Sequence, residues 1–92
     1  MEPARRKESD TMNLHIDRNT NIATFNTFRA TITRDARETA YGINQYARFS
    51  SNTAIAAAAI ARAYSRTLAR HGDIIRDGKD FLVCDGYYSL GD

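Results

Sequence analysis

The chain has 92 residues, a formal net charge of +2 and 42% hydrophobic residues. This length provides one domain with a modest core and no room for a second domain. A single cysteine, Cys84, excludes an internal disulfide and a metal site built from several cysteines. No apolar run approaches the roughly 20 residues of a membrane-spanning helix, and the first residues lack the apolar centre of a signal peptide. We therefore expect a cytoplasmic protein that does not enter a membrane.

Charge is distributed unevenly along the chain. Residues 12–72 contain eight arginines and three acidic residues, whereas residues 73–92 contain two basic and five acidic residues. Arginine outnumbers lysine by eleven to two, which fits bidentate recognition of phosphate or carboxylate groups but also fits a GC-rich genome. The division of charge indicates a chain with a basic body and an acidic C-terminal segment.

The first eleven residues are predicted to form a disordered tail. Six of them are charged, balanced three against three, and none is suited to burial. Residues 12–92 are predicted to form a single α+β domain. A start at Met12 in place of Met1 would remove no core residue.

Residues 13–33 show strand patterns. Leu14 and Ile16 alternate with polar residues, and turn-forming residues follow at 18–21. Farther on, Phe25 is out of phase with Phe28, and an extra residue near 26–27 would restore the phase. We predict a hairpin whose second strand, residues 22–33, contains a β-bulge, in preference to two short strands.

Residues 35–48 fit a helix less clearly. At about 100° per residue, one side of such a helix would carry Ala36, Ala40, Ile43 and Ala47. Gly42 lies in the middle of the pattern and costs a helix about 1 kcal/mol relative to alanine. We predict a helix, with a strand as the open alternative.

Residues 51–72 give the strongest helical pattern and form the element around which the domain is expected to be organised. They contain eight alanines, a good N-cap in Asn52 and a glycine suited to a left-handed C-terminal position in Gly72. At about 100° per residue, Ile60, Tyr64 and Leu68 share the side expected to face the core.

The C-terminal residues fit hairpins. Asp77-Gly78 lies between two runs rich in β-branched and aromatic residues, and Asp85-Gly86 offers a second turn before a short edge strand at residues 87–90. The element order is then ββααββ, with a further β. We predict a two-layer α+β fold in which an antiparallel sheet with two terminal hairpins packs against two helices.

Candidate binding residues lie on the predicted helices. On the longer helix the arginines fall at about 200–280° from Ile60, and Ile55 falls near 220°, opposite the core side. Their spacing of about 6 Å along the axis is close to that of successive phosphates. The shorter helix would present a second basic stripe. The candidates are Arg62, Arg66, Arg70 and Ile55 on the longer helix and Arg34, Arg37, Tyr41 and Arg48 on the shorter one.

Each stripe also fits a plain solvated face, because any amphipathic helix needs polar residues on its outer side. Other candidate chemistry is weak. His15 and His71 lack carboxylates at ligand spacing, so no metal and no cofactor is expected. Cys84 fits a small core residue, and Tyr87-Tyr88 fits either a stacking surface or the rim of the sheet. The sequence shows no catalytic signature, so we expect a protein that is not an enzyme.

The first functional hypothesis is a small interaction protein that binds and modulates or inhibits a larger protein or nucleoprotein assembly, with arginine and tyrosine as anchors. In its size, its lack of catalytic residues and its divided charge, the chain resembles accessory proteins of phages and mobile elements, including anti-CRISPR inhibitors. No motif carries this resemblance. The alternative is a nucleic-acid-binding protein that contacts the phosphate backbone without sequence preference. A homo-oligomer packed through the alanine-rich helix is a third option.

Overall fold

Six antiparallel strands and one helix form the part of the chain that the computed structural model describes, residues 13–70 and 72–90. The strands are β1 (Leu14–Asp17), β2 (Ile22–Phe25), β3 (Phe28–Glu38), β4 (Gly42–Ser50), β5 (Ile74–Asp77) and β6 (Asp80–Ser89), and the helix α1 (Ala54–Thr67) lies between β4 and β5. The strands form a single sheet in the order β1-β2-β3-β4-β6-β5. The predicted disordered tail at residues 1–11 and His71, for which the sequence predicts no role as a metal ligand, lie outside the described residues.

The predicted two-layer fold with two helices is wrong. The order of the described elements is ββββαββ, and α1 contacts all six strands because the sheet curls around it as a half-barrel. The inner face of the sheet is the face that packs against α1.

The second predicted helix, residues 35–48, is instead the end of β3, a turn and most of β4. Ala47 and Phe49 alternate with outward residues along β4 and are fully buried, so strand periodicity prevails over the helical spacing of small residues. Gly42 begins β4. A Cβ there would collide with the backbone oxygen of Tyr88 and lie 2.6 Å from the Tyr87 ring, so glycine allows β4 and β6 to meet.

Residues 22–33 form two strands and not one bulged strand. Asn26 adopts φ 55°, and a two-residue turn connects Phe25 with its pairing partner Phe28. Asparagine tolerates this left-handed conformation better than most residues, which makes a tight turn possible where the phase changes.

The C-terminal hairpin is confirmed, although its turn is shifted by one residue. Gly78 and Lys79 are the central residues, and Gly78 alone of the two has positive φ, at 65°. Asp85-Gly86 forms no turn. The pairing register shifts there, so that Gln45 lies opposite Gly86 and Tyr46 opposite Cys84. Asp85 is thus the extra residue of a β-bulge within a continuous β6.

The helix is confirmed, but it is shorter than residues 51–72. Its N-cap is Thr53, whose side chain accepts a hydrogen bond from the amide of Ala56 at 3.1 Å. It ends at Thr67, and the buried Ser65 hydroxyl donates to the Gly72 carbonyl at 3.0 Å, which holds the following loop against the helix. Gly72 is therefore not a helix cap. A Cβ at this position would collide with the backbone oxygen of Cys84.

The position of the N-cap gives a test with a matched control. Thr53→Ala is expected to lower the free energy of unfolding by about 1 kcal/mol, because the Ala56 amide loses its acceptor. Asn52→Ala, one residue earlier, should change it by less than about 0.5 kcal/mol. Urea unfolding of both variants measures the difference, and equal losses would place the cap elsewhere.

The core lies between α1 and the inner face of the sheet. Phe49, Ile60 and Val83 are its large buried side chains, and alanines of both layers fill the rest. The predicted core side of the helix is confirmed, since Ile60 is fully buried and both Tyr64 and Leu68 pack against the core. Small residues at these contacts let the sheet approach the helix closely enough to curl around it.

The sheet extends past the helix at one end. β2 pairs with β3 only as far as Thr31, so the later residues of β3 have β4 on one side and, within the described part of the chain, no strand on the other. On this open side, the Asp35 carboxylate accepts the backbone N–H of Ala36 at 2.8 Å. The inner-face residues Ala36, Glu38 and Gln45 are exposed, because the helix does not cover this end.

Candidate functional site

Arg34, Tyr64 and Asp85 form a hydrogen-bonded cluster between the helix and the sheet. The two terminal nitrogens of Arg34 donate to the two carboxylate oxygens of Asp85 at 2.7 and 2.8 Å, and the Tyr64 hydroxyl donates to Asp85 at 2.7 Å. The Asp85 side chain is 9% exposed, whereas that of Arg34 is 56% exposed. The cluster therefore fixes one edge of the Arg34 guanidinium and leaves its other edge toward solvent.

Local structure explains this geometry. Arg34 lies on the inner face of β3, Tyr64 on the sheet side of α1, and the bulge in β6 adds Asp85 between the regular pairs. The Tyr64 ring also packs against Phe49 with centroids 5.4 Å apart. The sequence does not reveal the role of Asp85, because the Asp85-Gly86 pair is typical of a turn. Its position inside an otherwise apolar run was the available signal for a bulge.

The cluster shifts the pKa of each member. Burial alone would raise the pKa of Asp85, but the hydrogen bonds from Arg34 and Tyr64 bring it below its usual value. The hydrogen bond to Asp85 raises the pKa of Arg34, and burial followed by the bond to Asp85 raises the pKa of Tyr64. At neutral pH the cluster is therefore a carboxylate held by a cation and a neutral phenol.

A second cluster lies on the outer face of the sheet. Arg48 on β4 contacts the carboxylates of Asp80, Asp77 and Asp35 at 2.8, 3.0 and 3.3 Å. These hydrogen bonds, led by the one to Asp80, raise the pKa of Arg48. Nearby, the Arg37 guanidinium lies 5.6 Å from the centre of the Tyr46 ring.

The predicted basic stripe of Arg34, Arg37, Tyr41 and Arg48 therefore does not exist as one surface. Arg34 faces inward, Arg37 and Arg48 face outward, and Tyr41 lies in the turn before β4. Acidic residues of the C-terminal segment pair with two of these arginines. The acidic C-terminal segment therefore forms ion pairs that link β5 and β6 to the basic residues of β3 and β4.

The stripe on the long helix is partly present. Arg62 and Arg66 are exposed on α1, and neither makes an ion pair among the described residues. Arg70 is also exposed but lies beyond the end of the helix. Ile55 is 72% exposed in the first turn, as its angle predicts.

A group of large exposed apolar residues lies at the end of the sheet that the helix leaves uncovered. We call Tyr41, Tyr87, Tyr88 and Leu90 the tyrosine tip; their exposed fractions are 79%, 55%, 62% and 54%. The tip is held together by strand pairing of β4 with β6 and by a hydrogen bond from the Leu90 amide to the Tyr41 carbonyl at 3.1 Å. The sequence suggested a stacking role for Tyr87 and Tyr88, but not their proximity to Tyr41.

Comparisons with protein-family models, curated proteins and solved structures give no match for this chain. No helix in the described part of the chain has the length and apolar character needed to cross a membrane. Residues 13–70 and 72–90 contain no group of three or more His, Cys, Asp or Glu side chains placed to hold a metal ion. Cys84 is half-buried at the bulge.

Proposed function

We propose that this protein is a small, non-enzymatic interaction protein that binds a larger protein or nucleoprotein assembly through the tyrosine tip. The supporting observation is the concentration of three tyrosines and a leucine, each more than half exposed, at the end of the sheet that the helix leaves uncovered. Tyrosine combines a large apolar ring with a polar hydroxyl and is enriched among the residues that dominate protein interfaces.

The rigidity of the tip supports the same proposal. In the pairing of β4 with β6, Tyr87 lies on the outer face against Gly42, and Tyr88 lies on the inner face opposite Ile43, so the tip presents aromatic rings on both faces of the sheet. A surface held by paired strands loses less conformational entropy on binding than a flexible loop, so more of the contact energy appears as affinity. The tip would enter a recess of the partner as a preformed element.

Nucleic-acid binding is the second candidate, supported by Arg62 and Arg66 on α1, which are exposed and make no ion pair with any residue that the structure describes. With Arg70 they supply three cations for a phosphate backbone. Their number is small because Arg34 and Arg48 are engaged by aspartates. Such a surface would bind weakly and lose affinity steeply with salt.

A crosslinking experiment in the native cells tests the main proposal. The photoreactive residue p-benzoylphenylalanine replaces Tyr88 on β6 in one variant. In a matched variant it replaces Arg62, which is also exposed but lies on α1. We expect a specific protein adduct from position 88 and none from position 62. The captured protein is then purified, and its affinity for the wild type and for Tyr41→Ser/Tyr88→Ser is measured, with an expected loss of about tenfold or more.

Two results would contradict the proposal. One is unchanged affinity of the captured protein for the double tyrosine variant, with Ile55→Ser as the surface control. The other is binding to generic duplex or single-stranded nucleic acid at physiological salt that is lost in Arg62→Ala/Arg66→Ala/Arg70→Ala and kept in the tyrosine variant. That second result would make the helix the functional surface.

A further inference from the structure

We infer that a cleft beside Arg34 is a binding site for a small organic anion, a carboxylate with an apolar body. The cleft has a volume of about 370 Å³ and lies where the β1–β2 hairpin ends against β3 and the helix. This volume falls within the range of about 300–1,000 Å³ that is usual for small-molecule sites. The residues lining it are Ile16, Arg18, Asn21, Ile32, Thr33, Arg34 and Tyr64. The inference is independent of the tyrosine tip.

Arg18 supplies the charge preference, and Arg34 adds hydrogen-bond donors. Arg18 and Arg34 line the cleft, and none of the described residues that line it is acidic. Arg18 makes no ion pair among the described residues. Asp85 neutralises Arg34 from the side, so that the cleft itself keeps the positive charge of Arg18 and the hydrogen-bonding capacity of Arg34.

Arg34 is also positioned to bind an anion. A guanidinium has five N–H donors, and Asp85 takes one from each terminal nitrogen, which leaves three donors on a half-exposed group. Because Asp85 and Tyr64 already fix its orientation, little side-chain entropy is lost when a second anion binds. Arginine binds carboxylates in a planar, directional way that suits this arrangement.

The open side of β3 adds a backbone donor. The Ile32 amide donates to the Asn21 carbonyl at 2.8 Å, on the side of β3 away from β4. Backbone groups two residues apart point to the same side of a strand. The Arg34 amide therefore points to that side, where β2 has already ended, and its N–H is directed toward the space beside Asn21.

The walls select for an apolar body on the ligand. Ile16, Ile32 and Tyr64 are partly buried and pack against the core, so their exposed surfaces form an apolar floor beside the cations. A ligand with a carboxylate and an aromatic or aliphatic group would satisfy both surfaces. Inorganic phosphate would contact the two arginines but would leave the apolar surface of the cleft unfilled.

NMR titration of the 92-residue chain at constant ionic strength tests the inference. Benzoate is the probe, benzyl alcohol is its uncharged counterpart, and inorganic phosphate lacks the apolar body. We expect saturable shifts of the Ile16, Asn21 and Arg34 amides by benzoate, with a Kd of about 1–10 mM for a fragment of this size. Benzyl alcohol and phosphate should each bind about tenfold more weakly or not at all.

Arg18→Gln should weaken benzoate binding by about fivefold or more and leave the benzyl alcohol titration unchanged. Arg62→Gln, which removes the same charge from the exposed helix surface, should change neither. The inference is overturned if benzoate gives no saturable shifts, if benzyl alcohol binds as well as benzoate, or if both arginine variants weaken binding equally. Equal binding of phosphate and benzoate would show a simple anion site and would overturn the apolar part of the assignment.

Discussion

Asp85→Ala is expected to lower the free energy of unfolding by about 2–3 kcal/mol. The substitution removes the acceptor of both Arg34 and the Tyr64 hydroxyl from a position where the carboxylate is almost fully buried. The expected loss lies below the value of about 3–5 kcal/mol for breaking a fully buried pair, because the Arg34 side chain can regain water. Urea unfolding measures the loss.

Asp77→Ala is the matched control, since it also removes a carboxylate from an arginine. The Asp77 side chain is 54% exposed, and Arg48 keeps Asp35 and Asp80 as partners. This variant should differ from the wild type by less than about 0.5 kcal/mol. Equal losses at the two positions would contradict the special role of the Asp85 cluster.

The Asp85 effect should also depend on pH. Since folding lowers the pKa of Asp85, its stabilising contribution is complete above the ordinary carboxyl pKa of about 4 and is lost as pH falls through the lower folded value. The difference in stability between wild type and Asp85→Ala should therefore shrink in strongly acidic solution. A difference that stays constant there would mean that the carboxylate charge contributes nothing.

Phe49→Ala is expected to lower the free energy of unfolding by about 3–5 kcal/mol, because it leaves a cavity in a small core. Phe49 is fully buried on β4 and contacts the Tyr64 ring. Phe49→Leu fills most of the same space and should lose less, which keeps the measurement informative if the alanine variant is largely unfolded.

Tyr41→Ala removes an aromatic ring of similar size from an exposed position and should cost less than about 0.5 kcal/mol. Chemical unfolding of Phe49→Ala, Phe49→Leu and Tyr41→Ala gives the free energy of unfolding of each variant. The comparison distinguishes the effect of burial from the effect of ring size. A loss below about 1 kcal/mol for Phe49→Ala would contradict the placement of this residue at the centre of the core.

Patterns that act locally were the ones that predicted structure correctly. The alanine-rich helix, its core side and the hairpin at Gly78 depend on residue propensity and on neighbours a few positions apart, which the sequence contains directly. The predicted end of the helix at residue 72 is wrong because Ser65 bonds to the following loop and Leu68 packs against the core, and these contacts end the helix at Thr67.

The incorrect helix at residues 35–48 has a different cause. Small residues there occur at helical spacing, but β4 lies between β3 and β6 and is decided by pairing with residues up to 47 positions away, such as Ser89 opposite Gly42. Tertiary pairing overrides local propensity in such strands. The same long-range pairing brings Asp85 to Arg34 and Tyr41 to Leu90, so neither contact could be derived from spacing along the chain.

The Asp35 carboxylate on the open side of β3 also affects how the molecule behaves in concentrated solution. An uncovered strand edge can template the addition of a strand from another molecule, the first step of aggregation. Asp35 already occupies the Ala36 amide, and Arg34, Arg37 and Glu38 place charge along the same strand end. Charged side chains at a strand edge disfavour edge-to-edge pairing with another sheet, so these residues work against growth of the sheet beside the exposed aromatic end.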